Sequence, residues 1–123
     1  TDSPASAGPF DLRAEARMLA ATQGVLGEAC TPDELLRMAT ADGASALGRD
    51  DVGALVVGRR ADLTAVVPPP DAEDPPAAGF LHPLGRVVAV AVDGAPRIWD
   101  GEVLGTDIEA ITTAAADARR RLC

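Results

Sequence analysis

Few residues in this sequence have side chains of the kind that metal or nucleophilic chemistry requires. The sequence has one histidine, His82, and it stands beside Pro83. The two cysteines, Cys30 and Cys123, are too far apart for a CxxC pair, and the sequence contains no HxH or HExxH pattern. A lone histidine next to a proline is typical of a structural or surface residue. Composition and spacing alone therefore identify no catalytic centre.

Carboxylates are plentiful, but three of them cluster in a segment that we expect to be exposed to solvent. Asp71, Glu73 and Asp74 stand in the proline-rich segment of residues 68–79. We predict an exposed loop there, because proline cannot donate the backbone hydrogen bonds that a sheet needs. Asp2 lies apart from this cluster, in a polar TDS sequence.

Residues 35–67 resemble a recurring signature of the amidohydrolase superfamily. In those enzymes a helix of the form MAT..GA.ALG precedes a GxL..G..ADL segment. The matching positions in this sequence are Met38-Ala39-Thr40, Gly43-Ala44, Ala46-Leu47-Gly48, Gly53, Leu55, Gly58 and Ala61-Asp62-Leu63. A later V.V.G.....G..L pattern is matched by Val90, Val92, Gly94, Gly101 and Leu104. The resemblance implies the end of a TIM barrel followed by strands of a small β-sandwich.

The first residues resemble the deaminase and chlorohydrolase branch of that superfamily. Thr1-Asp2-Ser3, Ala5-Ser6 and Asp11-Leu12 match its TDS.AS....DL stretch. In the family the aspartate ends the last barrel strand, binds the catalytic metal and handles the proton of the attacking water. The resemblance therefore implies that Asp2 is both the catalytic residue and a metal ligand.

The same resemblance implies what the chain lacks. The family's other metal ligands are histidines from an HxH pair and from two middle strands, and this sequence does not contain them. We therefore expect a parent enzyme that uses Zn²⁺ or Fe²⁺ to hydrolyse a C–N bond of a nitrogen heterocycle or purine-like small molecule. We expect this chain alone to bind no metal and to be inactive, with the rest of the parent enzyme as its partner. The alternative is a non-catalytic interaction or oligomerisation module derived from such a tail.

Capping signals predict three helical regions. Asp11 is positioned to cap a helix that runs to about Gln23 and stops at Gly24. Thr31 and Glu34 form a capping box around Pro32, and a short second helix is predicted from Asp42 to Leu47, closed by Gly48. A second box, Thr106 to Glu109, predicts the last helix. Its apolar stripe is Ile108, Ile111, Ala115, Ala118 and Leu122.

Between these helices the period of the apolar residues is that of strands. Strands are predicted at residues 54–57, 62–67, 87–92, 95–99 and 102–104, and Asp93-Gly94 predicts a hairpin turn. Because the return strand contains Pro96, it should lie at an edge of the sheet or have its nitrogen facing outward at that position. The run of residues 87–92 is by itself typical of a strand buried on both faces. Because the resemblance implies half of a sandwich, we expect this strand to be exposed unless another copy or a helix covers it.

These elements predict an α+β fold with three parts. The resemblance implies that residues 1–50 are the end of the barrel and residues 51–105 a partial β-sandwich containing the loop 68–79, and residues 106–123 are the C-terminal helix. The polar start at Thr1 leads us to expect that the chain is part of a longer one.

The overall charge restricts the possible partners. The formal net charge is −8, so nucleic-acid binding is not expected, and we interpret the basic residues 119–121 as complements of a helix dipole. No apolar run is long enough to span a bilayer, so we expect no membrane partner. The cysteine usage is typical of a reduced, cytoplasmic setting. In the alternative of an interaction module, the stripe of the terminal helix and the sheet edges would bind a partner or a second copy, so that a homo-oligomer would form.

Overall fold

The computed structural model describes residues 10–72 and 76–122, which form an α+β arrangement as predicted. The elements, in chain order, are helix α1 (Leu12–Leu26), helix α2 (Pro32–Arg37), a π-helical turn (Met38–Asp42), helix α3 (Gly43–Ala46), strand β1 (Leu63–Val67), helix α4 (Pro76–Leu81), strands β2 (Arg86–Val92), β3 (Ala95–Trp99) and β4 (Glu102–Val103), and helix α5 (Ile108–Leu122).

Helix α1 begins where the sequence predicts and ends later. The side chain of Asp11 accepts a hydrogen bond of 2.9 Å from the backbone nitrogen of Arg13, which confirms the cap. The predicted end at Gln23 is wrong, because the helix continues through Gly24 to Leu26. Gly27 takes the left-handed conformation, with φ of 81°, and its nitrogen closes the last turn. An interior glycine weakens a helix without ending it.

Helix α2, the π-helical turn and α3 form one continuous helical segment. The capping box is confirmed, since Glu34 accepts from the backbone of Thr31 at 2.8 Å and the Thr31 hydroxyl accepts from the Glu34 nitrogen at 3.3 Å. The predicted helix start at Asp42 is wrong. Asp42 has right-handed helical angles and makes no side-chain cap, and its carboxylate instead lies 3.3 Å from Arg37.

Residues 51–60 form turns, so the predicted strand at 54–57 is wrong. The segment is closed on itself: the nitrogen of Arg60 donates to the oxygen of Asp51 at 2.9 Å, and Arg59 donates to the oxygen of Val52 at 2.8 Å. The apolar side chains at its tip lie in solvent, and Val57 is completely exposed. β-branched residues form a strand only where a neighbouring strand can pair with them.

The predicted loop of residues 68–79 is wrong in its last part, because helix α4 begins at Pro76. Its buried residues are Ala77, Gly79 and Leu81. Proline is compatible with the first helical position, where no intrahelical partner for a backbone N–H is needed. The helix forms because burial of its apolar residues outweighs the loop-like composition of the segment.

The four strands form an antiparallel meander in the order β1-β2-β3-β4. The hairpin prediction is confirmed, with positive φ at both Asp93 (53°) and Gly94 (75°), as a tight turn between twisted strands requires. Pro96 pairs with Ala91 of β2, whereas β4 reaches only Ile98 and Trp99. Pro96 therefore has an open side, as predicted.

Both faces of the sheet are apolar, and neither is fully covered in the described part of the chain. One row across the four strands consists of Thr64, Val90, Ile98 and Val103. Every residue of β2 is half-buried or exposed, so burial on both faces is not found and the expected incomplete covering is confirmed. The sheet therefore has apolar surface that this arrangement leaves in contact with water.

The buried core is small and lies between the helices. Ala16 of α1, Leu35 of α2 and Leu81 of α4 form it, with Phe80 and Cys30 partly buried against it. Helix α5 lies apart from this core and is exposed along its described length except at Asp117, which is half-buried. None of the helices in the described ranges has the length and apolarity needed to cross a bilayer.

The cap of α5 is one residue later than predicted. The carboxylate of Asp107 accepts a hydrogen bond of 2.8 Å from the nitrogen of Ala110, so Asp107 and not Thr106 is the cap. At the other end of the helix, Arg120 pairs with Asp117. The basic residues 119–121 occupy the last turn, as predicted.

Candidate functional site

The predicted catalytic residue and metal ligand, Asp2, lies outside the described residues. The first described element after it is α1, which begins immediately after its Asp11 cap. Cys123 and the acidic residues Glu73 and Asp74 also lie outside the described ranges.

His82 has a structural environment. Its ring Nδ1 accepts a hydrogen bond of 3.2 Å from the nitrogen of Leu84, and its carbonyl oxygen accepts from Gly85 at 2.9 Å. The ring thus stabilises the turn between α4 and β2, in agreement with the structural role predicted for it. A nitrogen that accepts this hydrogen bond is not available to a metal ion.

No group of three or more His, Cys, Asp or Glu side chains that could hold a metal ion occurs within residues 10–72 and 76–122. Cys30 is a free thiol packed against the small core. A metal with three or four protein ligands does not fit the described part of the chain.

Two arginines of α1 form a polar cluster that the sequence did not identify. Arg13 donates from Nη2 to the oxygen of Gly85 at 2.8 Å, and Arg17 donates to the oxygen of Leu81 at 3.0 Å. Arg13 also lies over the Phe80 ring at 6.0 Å from its centroid. Arg17 thus binds a carbonyl at the C-terminal end of α4, where the helix dipole favours cations, and Arg13 binds a carbonyl of the turn that follows.

This arginine cluster joins the helices to the start of the sheet, because Gly85 immediately precedes β2. Helical periodicity places Arg13 and Arg17 on one side of α1, since they are four residues apart. Helical periodicity does not reveal which carbonyl groups the two arginines bind, because these carbonyls belong to a segment that the sequence suggests is a loop. The cluster offers hydrogen-bond donors and positive charge, but no base or nucleophile.

The ADL part of the sequence signature organises the β2–β3 turn. The carboxylate of Asp62 accepts a hydrogen bond of 2.6 Å from the nitrogen of Asp93, and the oxygen of Ala61 accepts one of 3.0 Å from Gly94. Arg60 lies 3.1 Å from the Asp93 carboxylate. These contacts assign Asp62 to architecture, as the sequence predicted.

The glycine of the GxL segment permits a close contact with the preceding helix. Gly53 has φ of 85°, and a Cβ at that position would lie 2.8 Å from the Cβ of Ala44 and 3.0 Å from the oxygen of Thr40. Only glycine meets both requirements, the left-handed backbone and the close approach. The MAT..GA and GxL patterns therefore occur together because these segments touch.

The carboxylates with altered acidity are on the surface. Hydrogen bonds from the backbone and hydroxyl of Thr31 hold the pKa of Glu34 below its usual range. A paired hydrogen bond from Arg49 does the same to the pKa of Asp51. Both shifts favour the charged form and stabilise local structure. Neither provides the raised pKa of a general acid.

A shallow groove of about 290 Å³ lies between α1 and the α2 segment. It is lined by Leu12, Glu15, Ala16, Leu19, Leu35, Met38 and Ala39. Glu15 is the one ionisable residue in this lining, and a single carboxylate cannot serve as both acid and base with a separate metal ligand. We interpret the groove as a packing surface.

The chain was compared with known families and proteins. The model of the amidohydrolase family matches residues 1–97. A 5-methylthioadenosine/S-adenosylhomocysteine deaminase of Shouchella clausii is 34% identical over 130 residues, covering 99% of this chain and 30% of that protein. An 8-oxoguanine deaminase of Pseudomonas aeruginosa is 38% identical over 98 residues, covering 74% of this chain and 22% of that protein.

Solved structures give the same result. An adenosine deaminase from Xanthomonas campestris with bound zinc has a TM-score of 0.88 at 30% identity, covering 98% of this chain and 30% of the other. The zinc complex of an atrazine chlorohydrolase from Arthrobacter aurescens has a TM-score of 0.79 at 28% identity, covering 95% and 28%. The chain thus spans 22–30% of the length of these relatives.

Proposed function

Because the chain belongs to the amidohydrolase superfamily, in its deaminase and chlorohydrolase branch, we propose that the protein containing it is a metal-dependent hydrolase of C–N bonds. The observation that carries the proposal is the family match over residues 1–97, which includes the TDS sequence and both signature segments. The described residues form the scaffold that follows the catalytic strand of such an enzyme.

The substrate in this proposal is a purine-like compound, and the reaction is a hydrolytic deamination that releases ammonia. Support comes from the relatives, since a methylthioadenosine deaminase, an 8-oxoguanine deaminase and an adenosine deaminase all act on purines. The likeness to an atrazine chlorohydrolase supports a triazine as the second class of substrate. Both classes are nitrogen heterocycles with an exchangeable substituent on a ring carbon.

Asp2 is the catalytic carboxylate of this proposal and one ligand of a Zn²⁺ or Fe²⁺ ion. A carboxylate beside the attacking water can take its proton and return it to the leaving nitrogen. The other ligands are histidines that this chain does not contain, since its one histidine is His82. The chain by itself is therefore inactive in our proposal, and it works as part of the complete enzyme.

The assignment of the parts of this chain to the fold of such an enzyme rests on the same family resemblance. Residues 1–50 are the end of a TIM barrel, residues 51–105 contribute strands to a composite β-sandwich, and residues 106–123 are a terminal helix. The apolar rows on both faces of the sheet support the sandwich, because a sheet with two apolar faces needs covering on both.

An ammonia-release assay on the full-length protein tests the proposed activity. The purified protein is loaded with Zn²⁺ or Fe²⁺ and assayed with adenosine, methylthioadenosine, 8-oxoguanine and a chlorinated triazine, the last followed by chloride release. We expect ammonia release from at least one of the three purines, and its loss when a chelator removes the metal. Chloride release from the triazine without ammonia release from any purine would favour the second class of substrate and contradict C–N hydrolysis. A folded, metal-loaded protein that is inactive on every compound, or an activity that survives metal removal, would contradict the proposal.

A further inference from the structure

Aspartate followed by glycine is a sequence that can modify itself, and it occurs three times in this chain, at residues 42–43, 93–94 and 100–101. The backbone nitrogen of the glycine attacks Cγ of the aspartate, and the approach is open because glycine has no Cβ. The new N–Cγ bond replaces a C–O bond of the carboxyl group, whose hydroxyl leaves with the amide proton as water. Water then opens the five-membered imide at either carbonyl, and opening on the Cα side leaves isoaspartate, with the main chain running through Cγ.

Two of the three sequences form the same kind of turn. Asp93-Gly94 and Asp100-Gly101 each join two antiparallel strands, with φ of 53° and 75° in the first turn and 50° and 83° in the second. All four residues are exposed. Because the sequence and the backbone conformation are matched, we attribute a difference in reactivity to the contacts that hold each turn closed.

The β2–β3 turn is held by the segment that precedes β1. The nitrogen of Asp93 donates to the Asp62 carboxylate at 2.6 Å, and the nitrogen of Gly94, which would have to attack, donates to the oxygen of Ala61 at 3.0 Å. Arg60 lies 3.1 Å from the Asp93 carboxylate, which is the group attacked. Both reacting groups are therefore engaged, and the strands beside them, β2 and β3, have seven and five residues.

The β3–β4 turn has less support. The nitrogen of Gly101 donates to the oxygen of Val88 at 3.0 Å, but no side chain within residues 10–72 and 76–122 forms an ion pair with the carboxylate of Asp100. Strand β4 has two residues, so few hydrogen bonds must break before this turn opens. Local opening is easiest where few contacts hold a segment, and it frees the Gly101 nitrogen to attack.

The third sequence, Asp42-Gly43, lies inside the helical segment. The nitrogen of Gly43 donates to the oxygen of Met38, and the Asp42 carboxylate lies 3.3 Å from Arg37. Attack would require this helical turn to unwind, so Asp42 is a second protected aspartate.

We propose that Asp100-Gly101 is a modification site of this chain, at which aspartate isomerises to isoaspartate faster than at the other two sequences. The reaction needs no enzyme and no reagent other than water. Isoaspartate adds one carbon atom to the main chain of a two-residue turn, which disrupts the pairing of β4 with β3. This modification is independent of the proposed catalytic activity.

Peptide mapping of the full-length protein, after prolonged incubation at neutral pH, tests the site. Trypsin cleaves after arginine and places the three sequences on separate peptides, residues 38–49, 87–97 and 98–119. Isoaspartate leaves the mass of a peptide unchanged but alters its retention time, and electron-transfer fragmentation locates it. We expect isoaspartate to form at Asp100 at least about fivefold faster than at Asp93 in the folded protein, and at rates within about twofold of each other in guanidinium chloride.

Two variants test the reason for the difference. Asp62→Ala removes support from the β2–β3 turn and should speed isomerisation at Asp93 several-fold, with the rate at Asp100 unchanged. Asp100→Glu keeps the charge and should abolish the modification of peptide 98–119, because attack would have to close a six-membered ring. No isoaspartate at Asp100, equal rates at Asp93 and Asp100 in the folded protein, the same ratio of rates in the folded and denatured protein, or an unchanged rate at Asp93 in Asp62→Ala would overturn the proposal.

Discussion

The carboxylate oxygen of Asp62 lies 2.6 Å from the backbone nitrogen of Asp93, so a residue before β1 fixes the turn between β2 and β3. The turn needs support because Asp93 has φ of 53°, which is uncommon for a residue with a side chain. Asp62 is the aspartate of the ADL signature. Its position in the signature is therefore explained by the sheet, with no role in catalysis.

Replacing Asp62 tests this structural role. Asp62→Ala removes the acceptor and should lower the free energy of unfolding by about 1 kcal/mol. Asp62→Asn keeps an acceptor oxygen at the same position and should lose less. Urea denaturation of the two variants measures the difference. Equal losses would show that the charge of Asp62, and not its hydrogen bond to Asp93, stabilises the turn.

Gly53 and Gly58 form a natural pair of test and control. Both have positive φ, but a Cβ at Gly53 would meet Ala44 and Thr40, whereas nothing lies within 4 Å of a Cβ at Gly58. Gly58→Ala should therefore cost about 1 kcal/mol of backbone strain, and Gly53→Ala about 2–3 kcal/mol or more because packing is added. Thermal unfolding measures both. A Gly53→Ala variant no less stable than Gly58→Ala would disprove the close contact.

The arginine cluster should contribute more to stability than an exposed ion pair. Arg13 is partly buried and binds the Gly85 carbonyl, so Arg13→Ala should cost about 2 kcal/mol. Arg37→Ala removes the exposed pair with Asp42 and should cost less than about 1 kcal/mol. Chemical denaturation compares the two. A similar small effect for both would mean that Arg13 does not hold α1 against α4 and the start of β2.

Acid should weaken the capping box through Glu34. Hydrogen bonds from Thr31 hold the pKa of Glu34 below the ordinary value of 4.5, so the folded state binds this proton less readily than the unfolded state. The stabilisation that Glu34 contributes to the folded state is therefore fully present above the ordinary pKa of 4.5. It is lost as the pH falls through the lowered pKa of the folded state.

The matched variants for this pH dependence are Glu34→Gln and Asp33→Asn. Glutamine cannot titrate, so Glu34→Gln should reduce the difference in urea midpoint between about pH 6 and about pH 3. Asp33 is the neighbouring exposed carboxylate in the same first turn and is not part of the capping box, so its replacement should leave that difference nearly as it was. An unchanged pH dependence in Glu34→Gln would contradict the role of the box.

Local signals in the sequence predicted local structure well. The caps at Asp11 and Thr31 and the turn at Asp93-Gly94 are confirmed, because each depends on a few adjacent residues. Helix α4 could not be predicted in this way. Its prolines indicate a loop, and it forms because Ala77 and Leu81 are buried against distant helices. The strand predicted at residues 54–57 is the opposite case. The composition is typical of a strand, but no strand among the described residues pairs with this segment.

In the candidate site, too, some residue roles could be predicted from the sequence and others could not. The architectural meaning of Asp62 and Gly53 could be predicted from their place in the signature, and the structure supplies their contacts. The part played by Arg13 could not be predicted, because its partner Gly85 lies 72 residues away in the sequence, in a segment that suggests a loop. Asp2 is assigned by resemblance alone, because the sequence contains no HxH, HExxH or CxxC pattern that would indicate a metal site.

The central claim is that Asp2 is the catalytic carboxylate of a metal-dependent deaminase, and one rate measurement tests it directly. Ammonia release by the full-length, metal-loaded protein is compared with that of its Asp2→Asn and Asp33→Asn variants. We predict that Asp2→Asn lowers kcat by about 10²–10⁴-fold, as loss of a general acid–base does, and that Asp33→Asn, an exposed carboxylate of α2, has no effect. An Asp2→Asn variant that is folded and retains the wild-type kcat would contradict the claim.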